Sequence, residues 1–187
     1  PASSLRMIGE QIVVGLGGNI DNPFTTLSSA LDELGELATG EILVSSIYRS
    51  EPLGLAEAAT DFANAVAQFE CDLEPMVLLR HLQALEQKYG RKRRAGSAVD
   101  ESHPSESSVS EPRLYESRTL DLDIIAFGDR MIVESDLRVP HPRAFERLFV
   151  LLPLLEIDPG FRFADRIESL QQLVDQAPGM AIGKWQG

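Results

Sequence analysis

The chain has 187 residues and carries Lys+Arg 17 against Asp+Glu 29, a formal net charge of −12. Hydrophobic residues make up 43% and charged residues 25%, ordinary globular proportions that allow a buried core and exclude collagen-like, mucin-like and wholly disordered classes. The acidic balance also argues against nucleic acid and anionic membranes as partners, since both are held by clustered cations.

A single cysteine, Cys71, cannot close an intrachain disulfide and supplies too few thiolates for a zinc or iron–sulfur site, which points to a reducing, cytoplasmic setting. No apolar run reaches about 18 residues, and no charged-then-apolar leader opens the chain. The expectation is a cytoplasmic monomer with a single domain over residues 7–187, residues 1–6 being set aside as disordered or extraneous.

The apolar, β-branched run over residues 11–17 reads as a buried strand, and the glycines Gly15, Gly17 and Gly18 that end it read as a tight turn. The third glycine of a dinucleotide fingerprint would fall at Ile20, and no P-loop Gly-Lys-Ser/Thr occurs, so neither nucleotide motif applies. Asn22-Pro23 is a cap and first-turn pair for an amphipathic helix whose face is Phe24, Leu27, Ala30, Leu31 and Leu34, ending at Gly35. Residues 41–48 and 62–70 read as two further strands, joined by a Gly-, Pro- and Ala-rich loop. Val77, Leu78, Leu82, Leu85 and Tyr89 mark a second helix over residues 74–89 that stops at Gly90. Residues 119–127 form the next strand, with Met131-Ile132-Val133 as a hairpin partner. The order strand, helix, strand, strand, helix, strand predicts an α+β, ferredoxin-like fold, βαββαβ, with a mostly antiparallel sheet and helices packed on one face. Helices over residues 143–155 and 167–176 would be C-terminal additions. Residues 95–117 hold seven serines and five acids with few aliphatic anchors, a composition that predicts a long mobile loop.

The sharpest constellation is Arg118-Thr119-Leu120-Asp121-Leu122-Asp123. On a strand, Asp121 and Asp123 share a face with α-carbons about 7 Å apart, near enough for their oxygens to converge on a hard cation such as Mg²⁺. The plainer alternative is a half-buried strand with a solvated face. Upstream, residues 88–94 place five cations in seven positions of an acidic protein, which is costly in self-repulsion unless an anion binds there. The competing reading is a cationic helix C-terminus that complements the dipole. Arginines on both sides of a loop, followed by a metal-binding pair, are what phosphoryl transfer asks for. In Val139-Pro140-His141-Pro142 a histidine is pinned between prolines, which fixes where the imidazole points. His81 and His103 invite no role.

Taken in order, Gly15-Leu16-Gly17-Gly18-Asn19, residues 46–54, Phe62-Ala63-Asn64-Ala65-Val66, residues 86–93, residues 118–124, Val139-Pro140-His141-Pro142 and residues 147–154 resemble the 6-hydroxymethyl-7,8-dihydropterin pyrophosphokinase family of folate biosynthesis. The resemblance spans residues 13–159. It implies transfer of the β,γ-diphosphate of ATP to the hydroxymethyl group of a reduced pterin, with release of AMP. It implies that Asp121 and Asp123 hold two Mg²⁺ ions, that Arg91 and Arg118 brace the transferred diphosphate, and that Arg93 assists. It further implies that Gln83, Glu86, Ile124, Arg138, His141 and Arg147 line the ATP site. Phe62 and Phe149 would sandwich the pterin, while Asn64 and the chain around Ser50, Pro52 and Leu53 would read its edge. No general base stands out, so rate is assigned to positioning and metal electrostatics, with Asp123 as proton acceptor. The chain departs from the family's usual pattern at Glu116-Ser117, where Gly-Pro is common, at Tyr115, where a tryptophan is common, and at Ser50-Glu51, where Thr-Pro is common. The first two departures, with the long acidic loop, predict slower loop closure.

Two other classes compete. A ferredoxin-like module that binds nucleotide or pterin without turnover would leave Asp121 and Asp123 merely solvated. An RNA-binding sheet of like topology would need exposed aromatic strand motifs and a basic face, and the chain has neither.

Overall fold

The computed structural model describes residues 9–51, 60–90 and 119–186. Strand β1 (Glu10–Gly18) leads into helix α1 (Pro23–Gly35), which starts where Asn22 accepts a hydrogen bond from the Thr25 amide at 3.2 Å and Pro23 takes the first turn. Strands β2 (Ile42–Val44), β3 (Tyr48–Ser50) and β4 (Phe62–Cys71) follow. Helix α2 (Pro75–Lys88) stops before Gly90, whose φ of 91° is the left-handed conformation that ends helices. Strand β5 (Asp121–Phe127), the small ladder β6 (Ile132–Val133) and β7 (Arg138–Val139), a 3₁₀ turn (Ala144–Glu146), helices α3 (Leu148–Ile157) and α4 (Leu170–Gln176), and strand β8 (Ile182–Lys184) complete the order.

The main sheet runs β5-β1-β4-β3-β8, with β2 also paired to β4, and every pairing is antiparallel. This is the ferredoxin-like βαββαβ arrangement that the sequence predicts. One face is covered by α1 and α2, where Leu27, Leu34, Leu78 and Leu82 meet Ile12, Val14, Leu16, Phe69 and Leu122. The other face is covered by α3 and α4, where Leu151, Leu154, Leu170 and Leu173 meet Val13, Val66 and Ile125. The two helices of the βαββαβ core share one face as expected, and the C-terminal additions cover the other. The C-terminal helices are the second wall of the molecule, and β1 and β4 read as near-continuous apolar runs because both of their faces are buried. Each such fully buried aliphatic or aromatic side chain contributes about 1.5–3 kcal/mol.

Local departures from the expected elements have identifiable causes. The strand expected over residues 41–48 is interrupted: Val44 faces Ala67 but Tyr48 faces Asn64, so four steps on one strand span three on the other. That extra residue is a bulge, stabilised where Ser45 bonds both polar groups of Val66 at 3.0 Å. It turns Tyr48 and Ser50 to the α3 face, whereas Ile42 lies on the α1 face. The helix expected over residues 143–155 breaks at Arg147, whose φ of −109° and ψ of 97° are extended. Of Met131-Ile132-Val133, Ile132 and Val133 form a strand, and it pairs with β7 rather than with β5. Strand β8 was not expected. Gly15, Gly17 and Gly18 lie inside β1 rather than in a turn.

Candidate active site

Asp121 and Asp123 lie on β5 with their side chains on the α3 face, as their spacing predicts, while Leu122 and Ile124 enter the opposite core. The neighbouring strand explains why that face is open. Gly17 stands opposite Asp121 and Gly15 opposite Asp123, so no side chain rises from β1 beside either carboxylate. Across β1 the row continues through Asn64 on β4, paired with Gly17, to Tyr48 on β3. A methyl group built on Gly17 would meet Asn64 Oδ1 at 3.6 Å. Gly17 therefore makes a flat floor between Asp121 and Asn64, whereas Gly15 makes room for the Ile125 side chain. These roles were missed because the motif resembles a loop when read along the chain.

Asp123 is the hub of one half. Arg147 Nη1 donates to its Oδ2 at 3.4 Å, and His141 Nε2 stands 3.8 Å from the same oxygen. His141 is held by its backbone amide, which donates to Ile125 O at 2.9 Å, and its Nδ1 accepts from the Arg143 amide at 3.2 Å. That leaves the proton on Nε2, facing Asp123. Burial lowers the His141 pKa below its ordinary value; Asp123 opposes the shift, Arg147 and Arg143 reinforce it, and Asp121 opposes it. The shift favours the neutral imidazole, whose Nε2 faces Asp123 from 3.8 Å, beyond hydrogen-bond distance. Arg147 also lies over the Phe149 ring, 5.5 Å from its centroid. Its buried Nε has no hydrogen-bond partner among the described residues. An orphaned guanidinium donor beside a carboxylate pair suits an incoming anion.

The other half is an amide-centred pair. Asn64 Nδ2 donates to Ser50 Oγ at 2.9 Å and to Phe62 O at 3.4 Å, and both Asn64 and Ser50 are buried. These bonds fix the amide so that Oδ1 lies toward Gly17. Phe62 is half-buried on the same face of β4, and Phe149 is the second residue of α3 on that side of the sheet.

Other expected site residues are placed differently. Glu86 is 1% exposed, and its Oε1 accepts the Leu122 amide at 2.9 Å, so it anchors β5 between the two aspartates from inside the core. The Ile124 side chain is in the same core, leaving only its backbone to the α3 face. Gln83 is half-buried on α2, and Arg138 is exposed on β7. Neither makes a side-chain hydrogen bond or ion pair to the cluster among the described residues. Arg91, Arg93, Arg118, Pro52 and Leu53 lie outside the described residues, as do the expected loop over residues 95–117, with its Tyr115 and Glu116-Ser117, and residues 1–6.

Among the described residues no group of three or more His, Cys, Asp or Glu side chains is arranged to hold a metal by itself. Two carboxylates on one open face nevertheless fit Mg²⁺, which binds through one or two carboxylates and takes the rest of its shell from water and phosphate oxygens. No helix among the described residues is long and apolar enough to cross a membrane.

A ferredoxin-like sheet with a carboxylate pair, an orphaned guanidinium donor and a buried amide on one face suits a small-molecule site that takes an anion and a flat polar ring. Residues 13–159 match the 7,8-dihydro-6-hydroxymethylpterin-pyrophosphokinase (HPPK) family, and the chain belongs to that family. It is 36% identical over 181 residues to a 2-amino-4-hydroxy-6-hydroxymethyldihydropteridine pyrophosphokinase of Synechocystis, covering 91% of this chain and 83% of the relative. It is 34% identical over 179 residues to the enzyme so named in Pseudomonas aeruginosa, covering 95% and 98%. The fold is similar to the wild-type HPPK-DHPS of Plasmodium falciparum crystallised with pteroate, at a TM-score of 0.63 and 14% identity. That superposition covers 90% of this chain and 44% of the solved one, so this chain spans less than half of that protein.

Proposed function

We propose that this chain transfers the β,γ-diphosphate of ATP to the hydroxymethyl oxygen of 6-hydroxymethyl-7,8-dihydropterin, releasing AMP. The observation that carries the reading is the row Asp121, Gly17, Asn64 across three strands, which sets a cation-binding carboxylate and a ring-reading amide on either side of a flat floor.

In this reading Asn64, fixed by Ser50, reads the edge of the pterin, and Phe62 and Phe149 take its faces. Asp121 and Asp123 would hold two Mg²⁺ ions, which when bound neutralise the phosphate charge that builds up in transfer. Arg147 offers its unpartnered Nε to a phosphate oxygen and keeps Asp123 in place through Nη1. His141 donates from Nε2 on the same side, and Glu86 anchors β5 by accepting the Leu122 amide. Arg91, Arg93 and Arg118 brace the diphosphate, while Gln83, Arg138 and the Ile124 backbone line the nucleotide. The hydroxymethyl oxygen forms a bond to the β-phosphorus as the bond from that phosphorus to the bridging oxygen of AMP breaks. AMP leaves with the bridging oxygen, and the hydroxyl proton passes to Asp123. Rate in this arrangement comes from alignment of the two substrates and from fixed charge. The reading includes a monomer acting on two small molecules in the cytoplasm, a compartment supported by the lone cysteine.

AMP release from MgATP, with and without the pterin, tests it. Pterin-dependent AMP from the wild type and none from Asp121→Ala/Asp123→Ala is the expected result. Tight binding of both substrates without AMP would instead make the chain a binding module.

A further inference from the structure

The C-terminal strand lies beyond the residues that the family model matches, 13–159, and it pairs with β3, whose Ser50 holds the ring-reading Asn64. β8 pairs antiparallel with β3, placing Tyr48 opposite Lys184, Arg49 opposite Gly183 and Ser50 opposite Ile182. The pairing continues past both ends, where the Glu51 amide donates to Ala181 O at 3.2 Å and the Trp185 amide donates to Ile47 O at 2.7 Å. Side chains lock the strand in place. Trp185 meets Phe24 of α1 at a centroid distance of 6.3 Å and lies under the Arg49 guanidinium at 5.7 Å. The same guanidinium forms an ion pair with Asp61, the residue before β4. On the opposite side of the sheet Lys184 Nζ and Tyr48 OH converge on Glu156 of α3, each at 2.9 Å.

β3 is only three residues long. Without β8 it would be a short edge strand bonded on one side, the kind of element that frays first. Its last residue, Ser50, is the acceptor that fixes the Asn64 amide. Loss of that acceptor frees the amide to rotate, and a rotated amide offers a donor where the ring edge needs an acceptor. We propose that β8, with Trp185 as its anchor, is a positioning element for pterin recognition, acting through β3 on the Ser50–Asn64 pair and having no part in nucleotide binding. The inference rests on the pterin reading above.

The test compares wild type, Trp185→Ala, Trp185→Phe and a chain ending at Met180. Affinities for 6-hydroxymethyl-7,8-dihydropterin and for a non-hydrolysable MgATP analogue are measured separately by calorimetry, alongside steady-state kinetics. Trp185→Ala is expected to weaken pterin binding and to raise its KM about tenfold, leaving analogue affinity and kcat within about threefold; Trp185→Phe, which keeps the aromatic contact, restores the pterin affinity. The shortened chain should repeat the Trp185→Ala pattern more strongly. Should it fail to fold, the two point variants still decide the matter. Equal pterin affinity in Trp185→Ala and wild type, or equal losses for both ligands, overturns the proposal. A wild type that binds pterin without turning it over sinks the transferase reading alone, because the binding comparison still stands. A wild type that binds no pterin removes both.

Discussion

Gly15 and Gly17 lie two residues apart on the same face of β1, and the structure assigns them different reasons to be glycine. Gly15 is buried, and a methyl group added there would stand 3.2 Å from Ile125 Cδ1 and 3.3 Å from Cγ1. Ile125 is fully buried in the α3 core and would have to shift by a few tenths of an ångström, so Gly15→Ala is expected to overpack that core at a cost of about 1–3 kcal/mol. For a chain of this size each kcal/mol lowers Tm by about 2–4 °C, so a fall of about 2–12 °C is expected. At Gly17 the methyl group would meet only Asn64 Oδ1, at 3.6 Å, an ordinary contact. Gly17→Ala should therefore leave Tm within about 2 °C, since a strand alanine also loses less backbone entropy on folding. It fills the floor between Asp121 and Asn64, however, and should raise the pterin KM about tenfold with a smaller effect on the ATP KM. Calorimetric melting of both variants, with AMP release under saturating MgATP, measures the two effects. Equal Tm losses, or an unchanged pterin KM in Gly17→Ala, would refute the assignment of Gly17 to the site.

Further expectations concern charge. Asp121→Asn and Asp123→Asn should each lower kcat at least about a hundredfold while leaving Tm within a few degrees, because the site face of β5 is partly exposed and the strand is held from the core side by Glu86; an intact rate in either variant would contradict the Mg²⁺ assignment. Burial favours the neutral form of Glu156, but hydrogen bonds from Ser46, Lys184 and Tyr48 outweigh it and lower the pKa below 4.5. The folded-state pKa is depressed, so the stabilisation is present above the unfolded value and lost as pH falls through the folded one. Glu156→Gln should therefore lower Tm at pH 7, and the difference from wild type should shrink steadily below pH 4.5, as melting in a series of acidic buffers would show. Tyr48 is raised to about 12, by burial first and then by Glu156; in Glu156→Gln an ultraviolet titration should find it lower but still above 10, and a return fully to 10 would mean that burial contributes nothing.

Period and punctuation made much of this molecule legible. The three-to-four spacing of Leu27, Leu31 and Leu34 and the Asn22-Pro23 start define α1 without reference to the rest of the fold, because helical hydrogen bonds are local. The two-residue spacing put Asp121 and Asp123 on one face, because alternation is built into any strand. Family membership was legible for the same reason, since its motifs are strings of neighbouring residues.

What only the tertiary structure decided is everything that depends on one strand's register against another. Gly17 becomes a floor through its pairing with Asp121, and Gly15, paired with Asp123, makes room for Ile125; these partners are more than a hundred residues away. The bulge between β2 and β3 turns Tyr48 and Ser50 to the site face, and one extra residue in a register leaves no periodic trace. Arg147 leaves the helix that local pattern would extend through it and is held instead at Asp123, a tertiary contact with no local signature. β8 contains a glycine flanked by one apolar and one charged residue, too little to mark a strand. It is a strand because β3 presents it with unpaired backbone groups, and such groups must find partners somewhere in the fold.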